Sequence, residues 1–517
     1  MTATALGVGI DGIDGVLVEV QVAEQEGMVA FEVTGLPATT IREARHRVKS
    51  ALSALSLEFP KARLVANFAP ADLPKRGTCY DLPLAVAVLR HMNLLSEVQI
   101  AGCVFFGELS LDGRIRAVPG AVSASLAASR LSHPTLFVAP ESADEAAAVP
   151  GVKVIPVPHL RVLLAALTHP ESQEPAVPAP RCGERTPEVD LALVRGQHRA
   201  RRALEVAAAG GHNLLMEGPP GCGKTLLARS LPSILPPMTT EESLEVTRIH
   251  SVARVHTGEG LVATRPFRAP HATSSYAALV GGGSPPCPGE VSLAHRGVLF
   301  LDETPEFRRS ALEALRGPLE DRQVCVSRAG KSLVFPASLT LVCALNPCPC
   351  GHKSDPNRAC RCSQRAIELY RSRISGPLLD RIDLHVGLDA VPPERLASAP
   401  EGEPSSAVRE RVVAARKRQA QRNRAGGRSL LNAELGLAEL ERWASLGRDE
   451  SLALVSAARR FGLTARSWHR VIKIARTVAD LAGRAQIGVP HVAEALTYRT
   501  WDRDRTTTNP ALAVASH

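Results

Sequence analysis

"NLLMEGPPGCGKTLLARSL", residues 213–231, carries the spacing G-x-x-x-x-G-K-T from Gly218 to Thr225. The apolar "NLLM" before it reads as a strand and "TLLARSL" after it as a helix, the setting such a loop requires. There, Gly218, Pro219, Pro220, Gly221, Cys222 and Gly223 make a loop whose backbone N–H groups can wrap phosphates. Lys224 is placed to reach the outer phosphates, and the Thr225 hydroxyl suits Mg²⁺. The alternative is a chance glycine turn. Strand, phosphate loop and helix together predict an α/β core that takes ATP with Mg²⁺.

Downstream, "GVLFLDETPEF" (297–307) runs four apolar residues into Asp302 and Glu303. A strand-end Asp302 can hold Mg²⁺, and Glu303 can polarise an attacking water. The competing reading is a solvated acidic pair after a core strand. A third strand-like run, "SLTLVCALN" (338–346), ends in Asn346, a polar side chain suited to orienting that water. In "SGPLLDRIDLHVGL" (375–388), Arg381 stands in an apolar stretch. It suits a finger acting on the neighbouring subunit's γ-phosphate, or a surface pair with Asp383.

Residues 1–168 read as an α/β domain. "GVLVEVQVA" and "MVAFEVTGL" alternate as paired strands do, and "TTIREARHRVKSALSAL" has helical spacing. Residues 169–190, rich in Pro and Glu, read as a linker. The core spans 191–389, with a cysteine-rich insertion at 348–362. A Pro-rich break covers 390–406, helices fill 407–503 as a lid, and 504–517 is a tail. The 408–428 stretch holds eight basic residues against one acid. It reads either as a DNA-binding face or as the solvated side of a lid helix.

The chain has 517 residues with 45% hydrophobic and 22% charged, enough apolar mass for several cores. Aromatics are only 3%, so base stacking is not the main binding device. A net charge of +9 permits nucleic acid without requiring it. "MTATALGVGIDGIDG" has no basic n-region or long apolar core, and no run is long enough to span a bilayer. The expected setting is cytoplasmic, with no membrane partner and reduced thiols.

In this order, the motifs resemble an AAA+ ATPase of the helix-2-insert group. "PFRAPHATSSYAALVGGGSPPCPGEVSLAHRGVLFLDETPEF" (266–307), "YRSRISGPLLDRIDLH" (370–385) and "FEVTGLPATTIREARHRVKSAL" (31–52) resemble the Mg-chelatase-like ComM/YifB family. The resemblance covers nearly the whole chain. It implies an α/β multidomain protein: a Lon-protease-like N-terminal domain, an AAA+ P-loop core and a C-terminal helical lid. It implies a homohexameric ring with ATP between subunits, in which Lys224 and Thr225 are Walker A and Asp302 and Glu303 Walker B. Asn346 becomes sensor 1, Arg381 the finger and Arg466, in "GLTARSWHR", sensor 2. The implied function is a DNA helicase extending branches in recombination and natural transformation, on single-stranded or branched DNA and alongside recombination proteins. A chelatase-type motor and a protein-remodelling chaperone remain alternatives. Where the family usually shows two histidines, this chain has His271 followed by Ala272.

By the same resemblance "PKRGTCYDLPLAVAV" (74–88) puts Cys79 at the place of Lon's serine, and the lysine's place falls at about Val122. A nucleophile without a base is inert, so no protease activity is expected. "CVSRAGKSLVFPAS" (325–338) reads as two strands around "RAGK", similar to the pore hairpin of MCM-type motors. Arg328 and Lys331 at its tip would ring a pore with charge for phosphates, or else form a basic surface turn. "LVGGGSPPCPGE" (279–290) reads as a second pore loop or as a long surface loop.

"CPCGHKSDPNRACRC" (348–362) places Cys348, Cys350, Cys360 and Cys362 directly after Asn346. Two C-x-C pairs can supply four thiolates to a structural Zn²⁺, with His352 as a substitute ligand. The alternative is a reduced, metal-free thiol loop.

Overall fold

The computed structural model describes residues 2–35, 39–71, 75, 77–178, 189–256, 260–283, 286–328, 331–353, 358–392, 402–425 and 428–499. The chain divides into two compact units, and the division does not follow chain order. The first takes Met1–Glu184 with Thr239–Ala263 and Ala329–Phe335; the second takes the rest.

In the first unit, seven strands lie side by side in the order 30–34, 63–69, 14–25, 3–11, 103–106, 135–138 and 153–156. The alternating runs predicted as partners are both strands, Asp14–Gln25 and Ala30–Thr34. They do not pair: Arg63–Ala69 lies between them, antiparallel to the first and parallel to the second. Alternation reports which face is buried, not which edge is taken. The nine-residue strand Ala3–Asp11 occupies one edge of Asp14–Gln25 through a tight turn, and Arg63–Ala69 pairs along seven positions of the other. Helix Thr240–Val252 also belongs to this unit. The Gly120 N–H donates to Ser251 Oγ at 2.9 Å, and Ser251 Oγ donates to Glu145 at 3.4 Å. Leu244 and Leu261 pack on Val122 and Val149 beside that contact.

In the second unit five parallel strands run in the order 267–268, 298–301, 340–345, 214–217 and 384–387. Val298–Leu301 and Thr340–Leu345 are buried at every position, as strands covered on both faces must be. Because the strands are parallel, their carboxyl ends share one edge, and the residues after them, Gly218, Asp302 and Asn346, emerge together.

The helices Ser405–Arg422, Leu437–Trp443, Arg448–Phe461, Ala465–Leu481 and Val489–Thr497 share one buried cluster with this sheet, through Met216, Leu227, Val471, Ile474 and Val492. The first begins two residues before the expected 407. A polar tie reinforces the contact: the fully buried His212 ring bonds Asp383 at 3.0 Å and Thr477 at 2.8 Å. The basic helix is neither bare nor wholly solvated. Arg416 donates to Ala208 O, Arg418 to Asp480 O, and Arg422 grips the Asp480 carboxylate at 2.6 and 2.9 Å. These three basic side chains therefore bond within the fold. Among the described residues, no helix is long and apolar enough to cross a membrane. The expected tail, 504–517, lies outside the described residues.

Candidate nucleotide site

The 213–231 stretch folds as Leu214–Glu217 strand, loop, and Lys224–Ile234 helix. Gly218 has no room for a side chain: a Cβ would stand 2.8 Å from Leu388 O and from Cys222 Sγ. Gly221 and Gly223 have positive φ, 76° and 94°, where L side chains are strained. A Cβ at either would meet nothing within 4 Å, so the space before the loop is open. Lys224 is buried, and its ammonium donates to Gly218 O at 2.7 Å, Pro219 O at 2.9 Å and Asn346 Oδ1 at 3.1 Å. Burial raises the Cys222 thiol pKa even with Lys224 beside it. Cys222 is therefore a packed neutral thiol.

The exposed Thr225 hydroxyl donates to Asp302 Oδ2 at 2.8 Å. The Glu303 N–H donates to the other Asp302 oxygen at 2.9 Å. Glu303 itself is exposed and sits in the left-handed region, φ 48°, turning the chain sharply off the strand. Thr304 locks that turn by donating to Leu301 O and Ala344 O at 2.9 and 3.1 Å. A cation-neutralised loop, open space before it, and two adjoining hard oxygen donors fit a nucleotide phosphate with Mg²⁺.

Three further side chains reach this edge, and residue-by-residue reading did not find them. Gln197 Nε2 donates to Cys222 O at 3.3 Å and Asp389 O at 2.7 Å, tying the loop to the end of the 384–387 strand. The signal available was a Gly-Gln pair ahead of a helix. Tyr370, late in helix Gln364–Arg371, takes the Asn346 backbone N–H on its oxygen, and burial raises its pKa to about 12. One position on, Arg371 pairs with Glu217 at 2.6 Å, immediately before the loop.

Arg381 and Arg466 lie elsewhere. Both line a cleft of about 450 Å³ together with Asn213, Glu320, Arg322 and Lys473. None of residues 218–225 lines it among the described residues. Arg381 pairs with Glu320 and donates to Pro377 O at 2.8 Å. The Arg381–Asp383 surface pair does not form. Asp383 is buried against His212 and Arg470, which hold its carboxyl well below the usual range.

The four thiols meet. Cys348 Sγ is 3.4 Å from Cys350 Sγ and 3.7 Å from Cys360 Sγ, and all four sulfurs lie within 4.8 Å of one another. The two strands Gln323–Arg328 and Lys331–Pro336 pair around "RAGK" as read. The tip 329–330 and the side chains of Arg328 and Lys331 lie outside the described residues. In the second loop, Gly281–Gly282 pairs with Cys287–Pro288. His271 is exposed and bonded to Thr273. Cys79 is 5% exposed, and burial together with Asp81 pushes its thiol to about 12; Val122 is fully buried.

Three family descriptions match this chain: "Magnesium chelatase, subunit ChlI" over 190–396, "Subunit ChlI of Mg-chelatase" over 18–142 and "Magnesium chelatase, subunit ChlI C-terminal" over 402–499. The chain is 41% identical over 499 residues to YifB of Salmonella typhimurium, covering 95% of this chain and 96% of that one. It is 40% identical over 493 residues to YifB of Escherichia coli, with the same coverages. To the competence protein ComM of Haemophilus influenzae it is 41% identical over 499 residues, again 95% and 96%.

Proposed function

The chain belongs to the Mg-chelatase-like ComM/YifB family, and from that we propose an ATP-driven ring motor, a homohexamer that moves along or remodels single-stranded or branched DNA. The observation that carries the ring is the division of the arginines from the phosphate loop. Lys224, Thr225, Asp302 and Asn346 converge on one edge, while Arg381 and Arg466 share a cleft with no loop residue in it. A site so divided is completed by a neighbouring copy, whose arginines meet the γ-phosphate in trans.

In this reading Lys224, held on the loop's own carbonyls, neutralises the outer phosphates. Thr225 and Asp302 hold Mg²⁺, which when bound supplies positive charge to the phosphate oxygens. Glu303 takes a proton from water as its oxygen attacks the γ-phosphorus; the bond to the β–γ bridging oxygen breaks, leaving ADP and phosphate. Asn346 orients that water. The first unit, read as Lon-protease-like, serves assembly. Its Cys79 thiol, at about 12, is protonated at neutral pH and so is not a thiolate nucleophile.

DNA is favoured over a tetrapyrrole or protein substrate by the basic "RAGK" hairpin and by the relative named as a competence protein. ATP turnover is the test, measured with and without single-stranded and forked DNA on wild type and the Arg328→Ala/Lys331→Ala double variant. We expect stimulation by DNA, lost in the variant while basal turnover survives. An assembled, active preparation that no DNA stimulates would overturn the DNA reading in favour of a chelatase or chaperone motor.

A further inference from the structure

We propose that Cys348, Cys350, Cys360 and Cys362 bind one structural Zn²⁺, and that this ion is a strut for the phosphate loop and the 340–345 strand end. Zinc held by four thiolates at about 2.3 Å places its sulfurs about 3.8 Å apart. The sulfurs here stand 3.4, 3.7 and 3.7 Å apart, with the fourth, Cys362, inside the same 4.8 Å group. They are too far apart for disulfides, whose sulfurs are about 2.05 Å apart. Backbone donors converge on the same sulfurs. The N–H groups of His352 and Arg361 point at the Cys350 sulfur, that of Cys362 at Cys360, and that of Cys350 at Cys362. His352 thus contributes its N–H, and the converging ligand atoms are four sulfurs. Four protein ligands leave no open position, so the ion is structural and not catalytic.

The role follows from what the insertion touches. Cys348 is two residues beyond Asn346, whose side chain accepts from Lys224. Gly351, inside the first pair's turn at φ 82°, is seated on the phosphate loop: a Cβ there would come within 2.7 Å of Pro220 Cγ and Cδ. The segment leaving the second pair enters helix Gln364–Arg371, capped by Ser363, which carries Tyr370 to Asn346 and Arg371 to Glu217. Among its described residues the insertion has little core of its own: of the four cysteines only Cys348 is buried. A metal therefore supplies the closure that apolar burial does not.

The strut role rests on the nucleotide reading of the phosphate loop; the metal site does not. Purified full-length protein should contain one zinc per chain by elemental analysis. Growth with cobalt should give the ligand-field and sulfur-to-metal bands of a tetrahedral tetrathiolate. The Cys348→Ser/Cys360→Ser variant should lack zinc and bind a fluorescent ATP analogue about tenfold or more weakly. Should that variant fail to fold, Gly351→Ala carries the test: zinc retained, nucleotide affinity reduced. Absence of zinc together with absence of thiolate–cobalt bands overturns the metal site. A folded, zinc-free protein with unchanged nucleotide Kd overturns the strut alone. A Lys224→Ala control that binds the analogue as wild type does would remove the nucleotide reading, and the strut with it, leaving the metal stoichiometry standing.

Discussion

At the scale of single residues, the edge divides its charges by task. Lys224 is satisfied within the chain, by two carbonyls and Asn346, so its cost of burial is already met. Glu303 is exposed and points off a strained turn, free of the ties that hold Asp302. Glu303→Gln should therefore keep nucleotide affinity and lose turnover by about 10² or more, the scale of a missing general base. Binding and single-turnover hydrolysis measured on the same preparation separate the two; a variant that hydrolyses at the wild-type rate would relieve Glu303 of that role. The glycines, the lysine and the paired acids were legible in the sequence because their chemistry dictates their spacing. Reading Thr225 and Asp302 as holding one Mg²⁺ already placed them together; the direct hydroxyl-to-carboxylate bond across 77 positions came from the fold.

At the scale of elements, helix Thr240–Val252 leaves the second unit's stretch of chain to pack in the first. Glu145 sits in that contact, its pKa pushed to about 7 by burial, against opposing bonds from Ser251 and the Ala121 backbone. His256 is 4.0 Å away. A carboxyl raised above its unfolded value destabilises the folded contact once ionised. The contact is strongest below about pH 4.5, weakens as pH rises to about 7, and stays at its weakest above. The window corresponds to at most about 3 kcal/mol. Glu145→Gln should flatten this dependence and tighten the contact at pH 8, read as slower hydrogen exchange in 121–128 and 240–252. Equal exchange in variant and wild type at pH 8 would exclude the effect. Locally, the Thr239–Glu242 capping box starts helix Thr240–Val252. Which core receives it is decided by Leu244 and Leu261 meeting Val122 and Val149, contacts between distant parts of the chain.

At the scale of the whole molecule, the proposed ring, in which the arginines serve the next subunit, makes a prediction that no single chain can meet. Lys224→Ala and Arg381→Ala rings should each be nearly inactive, the first through lost nucleotide binding, the second with binding retained. Mixed rings should recover part of the wild-type turnover, because some interfaces pair an intact loop with an intact arginine. Turnover measured across mixing ratios checks this, and a flat line at the level of the homomeric variants would place Arg381 with its own loop. The sequence alone determined the phosphate loop, the acids after an apolar strand, the α/β class and the thiol spacing. Each is a local pattern whose residue types follow from backbone geometry or ligand chemistry. Only the tertiary structure decided that Arg63–Ala69 separates two alternating strands, that Arg381 turns to Glu320 and not to Asp383, and that Gly351 rests on Pro220. Those outcomes depend on which distant surfaces exclude water together, and a partner of that kind leaves no mark on the residues near it in the chain.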